Sequence, residues 1–238
     1  MNIVITMAGI GKRFKEAGYN EPKYMIEAKG KSLFEWSIES LKGFNDEKTK
    51  YIFIVRKEDN SKEFITEKMR EFNIEDIEVI ELNSQTDGQA TTAMCAAEYW
   101  NKEEELLIYN IDTYVEAYEM KKEQIKGDGF IPCFKAEGDH WSFVKLNNNE
   151  EAIEIREKQR ISDNCTLGAY YFKTCKLYED LYNEYYKDNS NLEKGEKYIA
   201  PLYNYLLKKG GTVRISIVDK EKVHVLGTPK ELEEFKNS

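Results

Sequence analysis

The spacing of apolar runs along this chain of 238 residues restricts its fold more than any other feature. In the first half, short runs rich in Ile and Val alternate with segments whose apolar side chains recur every three or four residues. The runs are 2–7, 51–55, 77–82 and 105–111. Buried strands that alternate with amphipathic helices are typical of a parallel sheet covered on both faces.

The second half has a different spacing, because its first four apolar runs follow one another with no helical pattern between them. These runs are 129–134, 141–146, 152–157 and 166–172. Their closeness predicts antiparallel hairpins, and the sequence LNNNEE between the second and third runs has the composition of a turn. Helices are then expected at about 174–187 and 196–209, and a late strand at 212–218.

Two helix starts carry the S/T-x-x-E capping pattern. Ser32 is followed by Glu35 at the beginning of an amphipathic segment, and Thr228 is followed by Glu231 at the start of the last helix. In this pattern the hydroxyl caps the third helical N–H, and the glutamate can reach back to the N-terminus. With its strands and helices in this order, the chain is predicted to be α/β: a mixed, mainly parallel sheet flanked by helices, with an antiparallel extension.

The composition excludes several classes of protein. A net charge of −9 argues against a general nucleic-acid binder, and no stretch approaches the about 20 apolar residues of a membrane span. The N-terminus reads as a strand and lacks the basic region of a signal peptide, and the four cysteines form no CxxC pair, so we expect a cytoplasmic protein with reduced thiols. Two histidines cannot build a His-rich site, so any metal would be a hard ion held by oxygen.

A glycine-rich, basic turn follows the first strand. The sequence MAGIGKRF is followed closely by EPKYM, and ligands of open α/β sheets bind beyond the carboxyl ends of the strands. Gly9 and Gly11 let backbone N–H groups face an anion, while Arg13 and Lys23 supply charges suited to phosphate. Neither the dinucleotide fingerprint, which fails at Phe14, nor the P-loop spacing is present. A surface turn with solvated lysines remains the alternative.

The pair MAGIGKRF and EPKYM resembles the signature of nucleotidyltransferases with a Rossmann-like, glycosyltransferase-A (GT-A) fold, the sugar-phosphate and CTP-dependent pyrophosphorylases. The resemblance implies that Ala8, Gly9 and Gly11 make backbone contacts to a nucleoside triphosphate. It further implies that Arg13 holds the phosphates that leave as pyrophosphate and that Lys23 contacts the α-phosphate.

Two further segments fit the same family on the nucleotide side. The sequence NSQTDGQATTA resembles its base-recognition loop, in which Gln85 would face a pyrimidine, Gly88 would lie against the base and Gln89 would open a helix. The alternative is a polar loop that caps a helix. Asp112 directly follows an apolar strand, where a carboxylate would hold Mg²⁺ beside the phosphates, and Asn110 lies on the same face. This matches the metal aspartate of the family, and a charged loop residue is the alternative.

Resemblance also assigns the acceptor side. The sequence IREKQRIS resembles a segment in which Glu157 and Lys158 would contact the second substrate, with Lys158 on its phosphate. Gly168, in TLGAYYF, would allow close approach of that substrate, and Glu196 is a further candidate contact. Tyr198 is expected to belong to the core. The neighbouring arginines of IREKQRIS, together with Lys158, would be compatible with a phosphorylated amino acid.

The chain departs from the family at its closing segment. The family often has D-x-G-T-P there, and that aspartate is a second metal ligand, whereas this chain has Val225 at that position. Asp219 or Glu221 could substitute, and Asp112 alone on Mg²⁺ is the other option.

The resemblance covers nearly the whole chain and implies one nucleotidyltransferase domain, 1–238. About 1–115 would bind the nucleotide and about 116–238 the acceptor. It implies Mg²⁺-dependent transfer of CMP from CTP, or of a nucleotide from another pyrimidine triphosphate, to a small phosphorylated acceptor, with phosphoglutamine of capsule biosynthesis first among them. The apolar, tyrosine-rich second half could supply the surface of a homodimer or could equally form part of the core.

Several alternatives remain open. A sugar 1-phosphate with UTP or dTTP is the nearest one, and phosphocholine, which would call for an aromatic cage from Trp141 and Tyr170, is another. A GT-A glycosyltransferase is more distant, since NID is only half of a D-x-D motif and a diphosphate sugar has no γ-phosphate for the Arg13 and Lys23 pair. A non-catalytic nucleotide-binding regulator is the last.

Overall fold

The computed structural model describes residues 1–238. The first half alternates strands with helices as the sequence predicts. Its elements are β1 (Asn2–Thr6), α1 (Lys12–Glu16), β2 (Glu27–Ala28), β3 (Lys31–Ser32), α2 (Leu33–Glu39), β4 (Lys50–Arg56), α3 (Lys62–Glu71), β5 (Ile77–Leu82), α4 (Gln89–Met94), β6 (Leu106–Asn110) and β7 (Thr113–Val115).

The second half contains the predicted succession of closely spaced strands, followed by helices. Its elements are β8 (Gly129–Lys135), β9 (Ser142–Leu146), β10 (Ala152–Glu157), β11 (Asn164–Thr166), β12 (Ala169–Phe172), α5 (Cys175–Tyr185), α6 (Ala200–Lys208), β13 (Val213–Ile217), β14 (Val223–Val225) and α7 (Pro229–Asn237). None of the helices combines the length and the apolar character that a membrane crossing needs.

One ten-stranded sheet runs through both halves in the order β10-β9-β11-β8-β12-β6-β1-β4-β5, and β13 pairs with β8 in parallel. Strands β6, β1, β4 and β5 are parallel to one another, whereas β12 pairs with the other side of β6 in the antiparallel direction. A separate ladder joins β7 to β14. The predicted fold class, a mixed α/β sheet with an antiparallel extension, is confirmed.

Apolar side chains fill both faces of this sheet. Along β1, Ile3 and Ile5 pack into a cluster with helices α2 and α3, while Val4 points to the opposite face and a second cluster. The second cluster also contains Tyr178 of α5 and Tyr203 of α6, both fully buried. Burial on both faces explains why the central strands are continuously apolar.

Three details differ from the sequence prediction. The loop after β1 contains the short helix α1, because Phe14 buries itself in a small cluster with Leu226 and Leu232 and so gives these few residues a core contact. The helix expected at 196–209 begins at Ala200, since the segment before it docks on a loop of the first half. The run 166–172 is divided, because Gly168 adopts a positive φ between β11 and β12.

Candidate active site

A cavity of about 300 Å³ opens at the carboxyl ends of the parallel strands. Most residues assigned to the nucleotide line it: Ala8, Gly9, Lys23, Gln85, Gly88, Gln89, Asn110 and Asp112. The other two residues line neighbouring cavities. Gly11 lines one that Gly9 and Lys23 also line, and Arg13 lines another that Asp112 also lines. The place is the one where ligands of open α/β sheets bind.

Lys23 is held in this cavity by the backbone around it. Pro22 is extended and precedes a single 3-10 turn, Lys23–Met25, and the ring of Tyr24 within that turn is buried. The Tyr24 hydroxyl donates to Asp59 over 3.2 Å. With its neighbour anchored, Lys23 extends across the cavity, where its Nζ atom lies 2.8 Å from Asp112 Oδ2.

Asp112 is fixed just beyond the end of β6. Its carbonyl accepts from Leu226 N over 2.8 Å, which ties the strand end to the chain entering α7. Burial by itself raises the pKa of the carboxyl, but the Lys23 ammonium, with a smaller effect from Arg13, outweighs it and holds the pKa below its ordinary value. Asp112 is therefore ionised at neutral pH, as a metal or cation ligand must be.

The loop between β5 and α4 closes the cavity from another side. Gly88 has a φ of 141°, and a Cβ atom there would lie 2.4 Å from the carbonyl oxygen of Lys197. Lys197 Nζ pairs with Asp87 at 2.8 Å, and its backbone donates to Asp87 and accepts from Ala90. These contacts dock the segment before α6 on the loop. Asp87 binds Lys197 and Thr91 and does not cap the helix backbone.

Hydrogen bonds link three polar side chains at the floor of the cavity. Gln89 Nε2 donates to Asn110 Oδ1 and, over 3.3 Å, to Thr6 Oγ1. Asn110 N donates to Gly168 O over 2.9 Å, and a Cβ atom on Gly168 would lie 2.6 Å from Asn110 Nδ2. The small residue at position 168 is therefore required by the Asn110 side chain.

A second cavity of about 250 Å³ adjoins the first, and Gln89, Asn110 and Asp112 line both. Two of the residues assigned to the acceptor, Glu157 and Gly168, line this second cavity. Asp112 thus stands at the junction between two ligand-sized spaces.

The other two acceptor residues lie nearby. Lys158 Nζ lies 3.0 Å from the Tyr198 hydroxyl and 3.6 Å from Glu157. Burial lowers the pKa of Lys158, but its hydrogen bond with Tyr198 and the nearby carboxylates outweigh this and raise it, so the ammonium stays charged. Glu196 lines the first cavity and not the second.

The structure corrects two expectations for this region. Tyr198 lines the second cavity and so does not belong to the core. Arg156 pairs with Glu154 on an exposed strand face, and Arg160 donates to the carbonyls of Ala136 and Gly138, so neither joins Lys158. The alternation of side chains along β10 turns Arg156 away from the face that carries Glu157.

Sequence reasoning missed several side chains of the second cavity: His140, Ser142, Tyr198 and Glu231. Ser142 donates to the Glu157 carboxylate, a contact across the β9–β10 hairpin that the pairing of strands would have suggested. Trp141 and Tyr170, proposed for an aromatic cage, also line this cavity.

Asp219 and Glu221, suggested as second metal ligands, lie at the other end of the β7–β14 ladder from Asp112. In this ladder Val225 pairs with Thr113 next to Asp112, whereas Val223 pairs with Val115. Asp219 caps the 3-10 turn before β14 by accepting from Glu221 N. No set of three or more acidic, His or Cys side chains converges to hold a metal ion.

No family model matches the chain, and neither does any curated protein. Among solved structures, the nucleoside-diphosphate-sugar pyrophosphorylase from Vibrio cholerae RC9 is 35% identical, over 99% of this chain and 100% of that chain, with a TM-score of 0.92. The inositol-1-phosphate CTP transferase from T. maritima has a TM-score of 0.78 over 99% of this chain and 94% of that chain.

A protein from Bacillus anthracis assigned as a glucose-1-phosphate thymidylyltransferase has a TM-score of 0.79, over 100% of this chain and 94% of that chain. At 14% and 16% identity, these last two relatives share the fold with this chain. The identity to the Vibrio cholerae protein extends over the full length of both chains, and the chain therefore belongs to the nucleotidyltransferase family and is an enzyme of that class.

Proposed function

We propose that this enzyme transfers CMP from CTP to a small phosphorylated acceptor and releases pyrophosphate. The observation that carries the proposal is the Lys23–Asp112 pair at the junction of two cavities. A cation and a carboxylate placed between a donor space and an acceptor space are what phosphoryl chemistry needs at the reacting phosphorus.

The donor would occupy the first cavity. Gly9 has open space where a Cβ atom would lie, so a phosphate can approach its backbone, and Lys23 lies beside the same space. Gln85 is exposed on the loop that would receive the base, and its amide can pair with either pyrimidine. Arg13, exposed and without a carboxylate partner, is available to the leaving phosphates.

Magnesium is the metal that suits this site. Asp112 would hold it, because Mg²⁺ takes oxygen ligands and needs only one or two carboxylates beside substrate phosphates and water. When bound, the ion would neutralise phosphate charge. The lowered pKa of Asp112 keeps that carboxylate ionised at neutral pH.

The acceptor would occupy the second cavity, so that residues of about 1–115 serve the nucleotide and those of about 116–238 mainly the acceptor. Lys158, whose Nζ atom lies beside Glu157 and Tyr198 of that cavity, would bind the acceptor phosphate. The carboxylate of Glu157 and the rings of Trp141 and Tyr170 suit an ammonium group, which both phosphocholine and an amino-acid phosphate such as phosphoglutamine, used in capsule modification, carry.

In the proposed reaction, an oxygen of the acceptor phosphate forms a bond to the α-phosphorus of CTP. The bond from that phosphorus to the β-phosphate oxygen breaks, and pyrophosphate leaves with the electron pair. The acceptor phosphate is already ionised, so no general base is required. Lys23 stabilises charge at the α-phosphate, and Lys158 orients the attacking phosphate.

The test is pyrophosphate release by the purified protein with Mg²⁺ and each of CTP, UTP and dTTP, combined in turn with phosphoglutamine, glucose 1-phosphate and phosphocholine. We expect release only when an acceptor is present, and fastest with CTP and phosphoglutamine. Product identity is read by ³¹P NMR. Preference for UTP or dTTP with the sugar phosphate would replace the cytidylyl assignment, and binding without release for every pair would reject it.

A sugar 1-phosphate acceptor is the second candidate. It is favoured by the relative at 35% identity, whose name is nucleoside-diphosphate-sugar pyrophosphorylase. The same matrix of donors and acceptors decides between the two.

A further inference from the structure

Two helices of this chain start with the same pattern and use it differently. At α2, Glu35 completes a capping box: its Oε2 atom accepts from Ser32 N at 2.8 Å and from Ser32 Oγ at 2.6 Å. At α7, Thr228 caps Glu231 N over 3.2 Å, but the Glu231 carboxylate does not return to the N-terminus.

The Glu231 carboxylate instead carries a buried oxygen without a partner. Its Oε2 atom is shielded from solvent and makes no hydrogen bond, and it is the only carboxylate oxygen of the chain in that condition. A capping box was within reach of this side chain, as α2 demonstrates, so the local sequence does not account for its orientation. A buried acceptor with no donor bears the whole cost of its desolvation, which a cation would remove.

That oxygen faces Asp112 across a single glycine. A Cβ atom on Gly227 would lie 3.4 Å from Asp112 Oδ2 and 3.6 Å from Glu231 Oε2, so both carboxylates reach the same point above this glycine. The hydrogen bond from Leu226 N to Asp112 O fixes the two segments together. Both carboxylates also line the second cavity.

Val225 lies in the same wall of the second cavity, where the family has its second metal aspartate. The apolar side chain at this position removes one oxygen ligand from the site. Glu231, in the first turn of α7, brings another carboxylate to the site. Because a glutamate is longer than an aspartate by one methylene, it reaches further from its backbone.

We infer that Glu231 replaces the missing aspartate and forms, with Asp112, the carboxylate pair that holds the divalent cation. The inference rests on the proposed function, because it is the nucleotidyl transfer that calls for the ion. Mg²⁺ keeps several waters, so one of the two carboxylates can hold it through water. Lys23, which pairs with Asp112 in the free protein, then becomes available to phosphate.

The test measures Mn²⁺ binding to the full chain, without nucleotide, from the loss of the free Mn²⁺ signal in electron paramagnetic resonance. Glu231→Gln keeps the shape of the side chain and should weaken Mn²⁺ binding by about tenfold or more, since even outer partners of a metal contribute that much. Glu234→Gln, on an exposed face of the same helix and paired only with Lys230, is the matched control and should bind like wild type.

A rescue variant tests the substitution itself. Val225→Asp combined with Glu231→Gln restores a carboxylate at the family position and should recover most of the lost affinity. Thermal unfolding is the second readout: Mn²⁺ should raise the melting temperature of wild type and of Glu234→Gln, and much less that of Glu231→Gln. If Glu231→Gln does not fold, Glu231→Asp takes its place, and its shorter reach should also weaken binding.

Equal Mn²⁺ affinity in Glu231→Gln and Glu234→Gln would overturn the inference. Pyrophosphate release, measured on the same preparations, separates this result from a failure of the proposed function. Turnover with unchanged Mn²⁺ affinity in Glu231→Gln rejects the metal role alone. Weakened Mn²⁺ binding in a protein that never turns over rejects the reaction and leaves the metal site.

Discussion

Lys23 and Asp112 form an ion pair inside the first cavity, where a ligand can reach both side chains. Lys23 belongs to an anchored 3-10 turn, and Asp112 follows the end of a buried strand. The two side chains meet because these rigid elements fix the positions of their backbones. A partly exposed ion pair of this type stabilises a fold little. Its value lies in positioning charge where a substrate can exchange partners with it.

We therefore expect Lys23→Ala and Asp112→Ala to lower the rate of pyrophosphate release by about 10²–10³, because each removes a charge that stabilises the transition state. The fold should survive, with a circular dichroism spectrum like that of wild type. Lys12→Ala is the matched control: its side chain is 82% exposed and meets only Glu16 on α1. Near-normal turnover in either active-site variant would contradict the assignment.

Gly88 is a position where shape matters more than charge. Its φ of 141° is unfavourable for any side chain, and a Cβ atom would collide with the Lys197 backbone. We expect Gly88→Ala to displace the docked segment, to lower stability by about 1–3 kcal/mol and to weaken CTP binding. Gly210→Ala, at a positive φ of 85° with open space around it, is the comparison variant without a collision. Equal melting temperatures and CTP affinities for the two variants would argue against this role of Gly88.

The β7–β14 ladder with α7 forms the wall that carries Asp112 and Glu231, and an aromatic cluster holds it together. His224 of β14 stacks on Tyr114 of β7 with ring centroids 5.3 Å apart, and it packs against Phe235 of α7 at 5.1 Å. Strand β7 comes from the middle of the chain, whereas β14 and α7 follow one another near its end. The wall therefore depends on such contacts, because its two short strands provide few hydrogen bonds.

This cluster makes stability depend on pH. Burial lowers the pKa of His224 below its ordinary 6.5, so the folded protein holds the neutral ring while the unfolded chain binds a proton. The contribution is fully present above pH 6.5 and is lost as the pH falls from there through the folded pKa. His224→Phe keeps the stack and should reduce the loss of stability in denaturant titrations between pH 7 and 5. Parallel pH profiles for the two proteins would refute this.

How much of this molecule the sequence predicts depends on the range of the interactions involved. The parallel strands, the hairpin turn and the meeting of Lys23 with Asp112 follow from local patterns and from the rule that strand ends share an edge. Helix α1 depends on contacts with distant residues that no local pattern records. The position of Glu231 in the second cavity was missed for another reason. The sequence predicts that its carboxylate caps the start of α7, whereas only the Thr228 half of that capping pattern forms.

The two halves of the chain share a single sheet, and this decides how it unfolds. Strand β12 of the second half pairs with β6 of the first, and residues of both halves, such as Val4 and Tyr203, fill one core cluster.

A fragment of residues 1–115 would expose the edge of β6 and lose the partners of that cluster. We expect it to lack the near-ultraviolet circular dichroism of packed aromatic rings, while the full chain unfolds in one transition seen by both circular dichroism and tryptophan fluorescence. A fragment that unfolds cooperatively by itself would show that the first half is an independent domain. The shared sheet makes this outcome unexpected, because the second half supplies strand β12, which pairs with β6 next to the active site.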